Sequence, residues 1–432
     1  MSDRSRRHFA FARLLSSAVI SQTLISAASF SIGLILIRHT TDLQYGYFIL
    51  ASSAIILLVS LQNAFFNPAL VTRMTLLDRP ERGDLVGGLY REQRRLRVML
   101  GGVAALVTGV LWYTHVLDAN TGPLVFATII AAFAILNREY FRMVLLAHRR
   151  PQDVLRTDTF YVVVMVSGVF LATFTSAVAV TAVLVLGLAA VVSGIFLSKS
   201  LHRYEPWNTQ GAPHILTEIA TLAAWSTAGA AIHWSFSQGY TYLVAGTLDV
   251  TAVAAIAATR LLVMPVNLLS SGIGTLMLPL ASSWLNKHGA ALVWRRLMLF
   301  GLGMACVALC YFATLWFLRD WIFDVLLKKQ FAQRDELLIL WSLAFLVMVV
   351  RDQLIYLLVV RGRFRFLTSL ALVTALLSLT ISYLGMLRFG TMGALLGMLA
   401  GEIINVTGIV LLSFREAGRT VPAPSEAQPT PS

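Results

Sequence analysis

Acidic residues and cysteines are scarce in this chain of 432 residues, which sets 21 Asp and Glu against 34 Lys and Arg and holds two cysteines. Charged residues make up only 13% of it, too few to wet the surfaces of soluble domains, so a string of such domains is excluded. The two cysteines, Cys306 and Cys310, stand at i,i+4 and could be bridged only by distorting a helix; they are read as buried thiols acting as small hydrophobes. Soluble-enzyme signatures are missing as well. There is no Walker loop, no dinucleotide glycine fingerprint, no HExxH and no Cys/His metal spacing, so no catalytic residue, metal ligand or cofactor is assigned.

What is present is apolar. Hydrophobic residues make up 57% of the chain and its mean hydropathy is +0.75, the composition of an all-α polytopic membrane protein. A crossing needs about 20 mainly apolar residues, and it must be helical because lipid offers the backbone no hydrogen-bond partner. Twelve such spans are predicted, at 14–37, 45–66, 98–117, 122–147, 157–175, 178–198, 217–244, 251–280, 297–318, 337–360, 366–387 and 391–414. They group into two six-helix bundles, 14–198 and 217–414. A segment 1–13 precedes them, a linker 199–216 joins them, and a Pro-rich tail 415–432 is expected to be disordered.

Basic residues resist translocation, and their distribution orients the chain. With the N-terminus inside, 24 Lys and Arg fall in inside segments, six in outside segments and four within spans. Both termini are therefore expected in the cytoplasm. The net charge of +13 reflects this bias and contact with anionic headgroups, with no nucleic-acid partner implied. Arg4, Arg6, Arg7 and Arg13 before an apolar stretch imitate a signal peptide, but the run continues to Ile37 and reads as an uncleaved first span. In the loop 71–97, Leu85, Leu89 and Leu96 beside Arg91, Arg94, Arg95 and Arg97 describe either an interfacial amphipathic helix or simple topology enforcement. The one sizeable outside loop is 319–336, whose Trp321 and Phe323 suit the membrane interface. Pro265 is expected to bend the eighth span.

The chain repeats itself weakly. The stretch from Ser29 to Leu70 runs through an apolar segment, a turn with Asp42, a second apolar segment and Pro68, and the same order returns after Gly239 with Asp249 and Pro279. Arg94-Arg95-Leu96 is echoed by Arg295-Arg296-Leu297. Arg138-Glu139 with LLAHRR is echoed by Arg351-Asp352 with LLVVRGR, offset by 213. Such a duplication marks a transporter built from two related bundles with its site between them.

Ionisable groups at mid-membrane cost about 2.5 to 3.5 kcal/mol on insertion scales, so each marks a pathway or a buried pair. Arg138, Glu139, Arg260, Arg351, Asp352 and Glu402 qualify, and Arg142 extends the basic face one turn from Arg138. Consecutive helical residues point about 100° apart, so Arg138 and Glu139 are expected to pair poorly with each other. The arginines either pin helices as salt bridges or line a cavity and grip an anion through the bidentate guanidinium fork. Arg260, with no acidic residue three or four positions away, is the sharpest cavity candidate. Glu139 and Asp352 are read as charge-pairing groups, and Glu402 either pairs or titrates in ion coupling. His233 and Gln238 are satisfied core polar groups or ligands. With no nucleotide-binding domain, an H+ or Na+ gradient or the substrate's own gradient must drive movement.

The pattern GLILIRHTTDLQYGYFILA followed by NPAL, the later GTLDVTAVAAIAATRLLVMPVNLL, and the stretch from Trp321 to Arg361 resemble the polysaccharide (Wzx-type) flippases of the MOP exporter superfamily. The resemblance covers about Arg13 to Phe414. It implies two MATE-like bundles in a V, alternating access, and a cationic cavity for the diphosphate of an undecaprenyl-linked oligosaccharide in the bacterial inner membrane. Membrane lipids and polysaccharide assembly proteins are the partners it implies. Arg260, Arg138, Arg351 and Arg142 would hold the substrate. The usual glycine near the outside-loop turn is absent, with Lys328-Lys329 there instead. A MATE-like exporter of organic cations would want carboxylates in its first bundle, yet the first two spans have none. An integral-membrane glycosyltransferase or polymerase would want a longer outside loop.

Overall fold

The computed structural model describes residues 3–74, 76–204, 207–211 and 215–418, and among them every regular element is a helix. In order these are α1 (Asp3–His39), α2 (Asp42–Arg73), α3 (Arg79–Tyr113), α4 (Thr121–Ala147), α5 (Pro151–Ala172), α6 (Val178–Tyr204), α7 (Ile215–Thr247) and α8 (Val250–Trp321). A π-helical stretch, Ile322–Leu327, follows, and then α9 (Arg334–Val360), α10 (Phe364–Phe389) and α11 (Thr391–Ala417). α8 is two arms, 250–288 and 290–321, broken at Gly289, whose φ of 78° and ψ of 172° leave the helical region. Helical geometry is lost at Gly289, while Pro265 keeps helical φ and ψ. Among the described residues eleven segments are long and apolar enough to cross a membrane, and they match every expected span except 217–244. That one lies within α7, part of which falls outside the described side chains. The expected tail falls outside the described residues from 419 onward.

Local sequence explains where the helices begin. Thr41 caps α2 by accepting from the amide of Gln44 at 3.3 Å, and Pro151, which has no N–H to lose, opens α5. Outward faces are apolar: Val98, Leu100, Val103, Leu106 and Val110 make an exposed stripe along α3 that only lipid can cover. The chain is a multi-pass membrane protein.

The chain divides into two compact units. The first is Met1–Leu261 with Asp324–Gln330, and the second is Leu262–Phe323 with Phe331–Ser432. In the first, α4 packs along α6, α1 along α5 and α2 along α7 and α4. Its core at one end gathers Phe66, Leu70, Leu89, Tyr140, Phe141 and Leu197. In the second, α11 packs along both α9 and α10. There α10 and α11 approach so closely that a Cβ on Gly393 would lie 2.1 Å from the backbone of Gly385. Leu297, Leu354, Leu357, Leu358 and Ile409 form the core of this unit.

Three expectations are corrected here. Residues 79–97, expected as part of a loop, are the first turns of α3, with Leu85, Val86 and Leu89 packed into the core of the first unit. The segment 319–336 is largely helical. Phe323 is fully buried against Phe331 and the guanidinium of Arg334, whereas Trp321 is exposed. Cys306 and Cys310 are free thiols on the exposed face of the second arm of α8, since a residue can be apolar enough for lipid without entering the protein core.

Candidate functional site

α4 carries Arg138, Glu139 and Arg142 within little more than one turn, and α5 and α6 supply their partners. Arg138 is 2% exposed. Its Nε donates to Ser193 Oγ at 3.0 Å, its guanidinium lies 3.8 Å over the ring of Tyr161, and it pairs with both Glu139 and Asp158. Asp158 is wholly buried and accepts from Arg138, from Arg142 Nε at 3.2 Å and from the Ser21 hydroxyl. Arg142 stays 15% exposed and also reaches Glu139 at 3.7 Å and Gln22 Oε1 at 3.4 Å. Arg138 and Glu139 thus do pair, contrary to expectation, because a guanidinium at the end of a long flexible stem can turn back along the helix wherever its Cβ points.

The duplicated helix in the second unit does the same with different partners. Arg351 donates through Nη2 to Asp352 Oδ1 at 2.8 Å and through Nη1 to Glu402 on α11. Glu402 is 4% exposed and Asp352 is 29% exposed. Glu402 is therefore one partner of Arg351, and the adjacent pair forms here too.

Arg260 sits in the first arm of α8. It donates to Gln238 Oε1 and to the Tyr240 hydroxyl, both on α7 and both at 3.2 Å, with its guanidinium 6.0 Å from the Tyr240 ring. Gln238 is thus an orienting acceptor, while His233 is exposed.

A pocket of about 450 Å³ opens between α2 and α4 in the first unit, lined by Asn63, Asn67, Met74, Glu139, Arg142, Met143, Leu146, Ala147 and Arg149. Arg149 ends α4 in the left-handed region, at φ 56°. Its amide donates to Leu146 O at 2.9 Å and that of Arg150 to Leu145 O at 3.0 Å. At the matching position of the second unit Gly362 takes φ 68°, with Gly362 donating to Val359 O at 3.0 Å and Arg363 to Leu358 O at 2.9 Å. The helix-ending motif is the same, but a side chain in this region costs roughly 1 to 2 kcal/mol that glycine avoids.

Sequence reading missed several of these groups. Asp158 was taken as the edge of a span beginning at 157, although Pro151 marks the real start of α5 two turns earlier. Arg97, placed in a loop, is buried in α3 and donates to Phe133 O at 2.8 Å and Asn137 Oδ1 at 2.9 Å. Beside it Gln93 donates to Gln62 Oε1 at 2.7 Å, and Gln62 to Leu136 O at 2.9 Å, tying α2, α3 and α4 together by polar contacts.

No family profile matches the chain, and no curated protein sequence does. Solved structures do match. A multidrug-resistance MATE transporter of the MOP superfamily in its inward-facing conformation superposes with a TM-score of 0.74 at 11% identity, over 93% of this chain and 98% of the other. The chain shares this transporter's fold. The lipid II flippase MurJ, in an inward closed conformation, gives 0.74 at 12% identity over 91% of this chain and 87% of its own. A MOP transporter from Pyrococcus furiosus, described by the reverse polarity of its binding pocket, gives 0.65 at 14% identity over 95% and 96%. At such identities the likeness establishes a shared fold and leaves the cargo to the chemistry of this chain's own residues.

Proposed function

We propose that this protein moves an undecaprenyl-diphosphate-linked oligosaccharide across the bacterial inner membrane by alternating access, with both termini in the cytoplasm. One observation carries this reading: arginines inside the spans keep part of their surface open, as Arg142 and Arg351 do, while residues 19–38 and 43–68 of α1 and α2 contain no carboxylate. A cargo held by such a lining is an anion, and the guanidinium fork suits a diphosphate. The structural likeness to a lipid II flippase adds support. In this reading Arg260 and Arg142 hold the diphosphate. Arg138 and Arg351 also serve the cargo in this reading, each positioned within its own unit, Arg138 by Glu139 and Arg351 by Asp352 and Glu402, and the more exposed of these carboxylates couple H+ or Na+. Polysaccharide assembly proteins and membrane lipids are the proposed partners.

The likeness to multidrug MATE transporters favours a second reading, an ion-coupled exporter of small molecules. Reconstitution separates the two. Vesicles containing the wild-type chain should translocate a fluorescent polyprenyl-diphosphate glycan, Arg260→Ala should lower the rate about tenfold or more at unchanged melting temperature, and Arg260→Lys should restore part of it. Normal translocation by the alanine variant removes Arg260 from this role. Efflux of cationic dyes without glycan movement selects the second reading.

A further inference from the structure

We propose that the pocket between α2 and α4 is a glycosyl-phosphate subsite, in which Arg142 and Arg149 take the phosphate and Asn63, Asn67 and Glu139 take sugar hydroxyls. This rests on the reading of the protein as a carrier of diphosphate-linked glycans and names the part of the cargo that this pocket receives.

The geometry points to a built site. Arg142 lies in the last turns of α4 and Arg149 just past its end, while Asn63 and Asn67 stand one turn apart on α2, so two segments each bring a polar pair to the same pocket. Its volume of about 450 Å³ lies in the range of small-molecule sites. Asn63 Oδ1 is buried and has no hydrogen-bond partner among the described residues. An amide oxygen in that position calls for a donor, and a sugar hydroxyl is one. Glu139, held by Arg138 and Arg142, presents a carboxylate that accepts from hydroxyls without adding uncompensated charge.

The second unit is an internal control. At the offset of 213, Arg142 answers to Ile355 and Arg149 to Gly362, so both basic side chains are absent there. The residue answering to Met143 is Tyr356, whose hydroxyl comes so close to α8 that a Cβ on Gly274 would lie 2.1 Å from it. Only the first unit keeps an arginine in a backbone conformation that its counterpart gives to glycine. Strain retained at one copy of a duplicated motif, with the strained side chain lining a pocket, marks a residue kept for what its side chain does.

A phosphate could come from the lipid-linked glycan or from an anionic phospholipid headgroup, and the test separates them. The full chain is placed in phosphatidylcholine nanodiscs and titrated with farnesyl-diphosphate-N-acetylglucosamine, with farnesyl diphosphate lacking the sugar, and with phosphatidylglycerol. The wild type should bind the glycosylated probe more tightly than the other two. Arg149→Gly should weaken that probe by about tenfold or more without lowering the melting temperature, because glycine relieves the left-handed backbone. Asn67→Ala should weaken the glycosylated probe severalfold and leave the sugar-free probe unchanged.

Unchanged affinity in Arg149→Gly overturns the subsite, and so does equal binding of the sugar-free probe, which would make this a phosphate site only. Preferential occupancy by phosphatidylglycerol overturns it in favour of a lipid headgroup site. If wild-type vesicles translocate the lipid-linked glycan while both variants bind and transport normally, the pocket proposal alone falls. If the wild type neither binds nor translocates any diphosphate-linked glycan, the functional reading falls first and takes the pocket with it.

Discussion

The two copies of one helix, α4 and α9, carry the same arginine–carboxylate neighbours and wire them differently. In the first unit Arg138 and Arg142 meet Glu139 and Asp158, two charges of each sign, and the deepest member comes from α5 and is sealed from solvent. In the second, Arg351 alone faces Asp352 and Glu402, so one carboxylate is in excess, and the tie runs to α11. Duplication therefore conserved the adjacent pair while the helix it is fastened to changed. The contact that joins helices is made to the third group, Asp158 or Glu402, because Glu139 and Asp352 sit on the arginine's own helix. Without Asp158 two arginines would share the single carboxylate of Glu139, whereas without Glu402 Arg351 still has Asp352 to itself.

The sharpest way to break this comparison is to remove the third group from each side. Asp158→Ala leaves Arg138 and Arg142 to share Glu139, one buried cation in excess, and should cost about 3 to 5 kcal/mol, enough to deplete folded protein. Glu402→Ala leaves Arg351 bonded to Asp352 and should cost about 1.5 to 3 kcal/mol, the range for one charged hydrogen bond. Thermal melts in detergent, read with folded yield, check both. Equal losses would show that the two clusters are built alike after all. Adding Arg138→Met to Asp158→Ala should recover much of the loss, since Arg142 then has Glu139 to itself and no cation is in excess.

Helix positions, the duplication and the embedded arginines were legible because each is written in the length of apolar runs or in a charge interrupting one. The partners were not. Direction around a helix fixes where Cβ points and says little about a guanidinium several bonds away, so the helical angle between Arg138 and Glu139 does not reveal that they pair. Asp158 was hidden by a span boundary drawn from hydropathy, which sees polar residues 151–156 as loop, although they form the first turns of α5. Hydropathy also treats lipid and protein core alike, so Cys306 and Cys310 were assigned to the wrong one. The pocket's Asn63 and Asn67 could have been noticed as two amides one turn apart near the end of an acid-free span. What joins them to Arg149 is the packing of α2 on α4, which no local pattern contains.

A gentler probe exchanges the residues that end the two helices. Gly362→Arg should destabilise the second unit by roughly 1 to 2 kcal/mol, since it imposes on α9 the backbone strain that α4 carries at Arg149. The reverse change, Arg149→Gly, should stabilise by less, because glycine also loosens the unfolded chain. Paired melting curves decide this. A neutral Gly362→Arg would mean that the left-handed turn is cheap in both copies and that Arg149 needs no special reason to be there.

The smallest effect sharpens the comparison at the other end of the repeat. Thr41 caps α2 with a hydroxyl, but Asp249 caps the first arm of α8 with a carboxylate that accepts from the amide of Ala252 and the hydroxyl of Thr251, both at 2.6 Å. Those bonds hold the Asp249 carboxyl below its ordinary range, the Thr251 hydroxyl contributing most. A depressed carboxylate lends stability above its unfolded pKa, about 3.9, and loses it as pH falls through the lower folded value. Acidification below about pH 4 should therefore loosen the Asp249 cap of α8, whereas the Thr41 hydroxyl that caps α2 has no proton to take up in this range. Because Asp249 is largely open to solvent, the change should be only about a few tenths of a kcal/mol. Hydrogen-exchange protection at Ala252 and Gln44, compared between pH 6 and pH 3 after correction for intrinsic rates, reads the two caps separately. Protection should fall at Ala252 alone, and Asp249→Asn, which keeps a capping oxygen but cannot titrate in this range, should flatten the response. A parallel fall at both amides would place the acid sensitivity elsewhere in the unit, among groups both caps share.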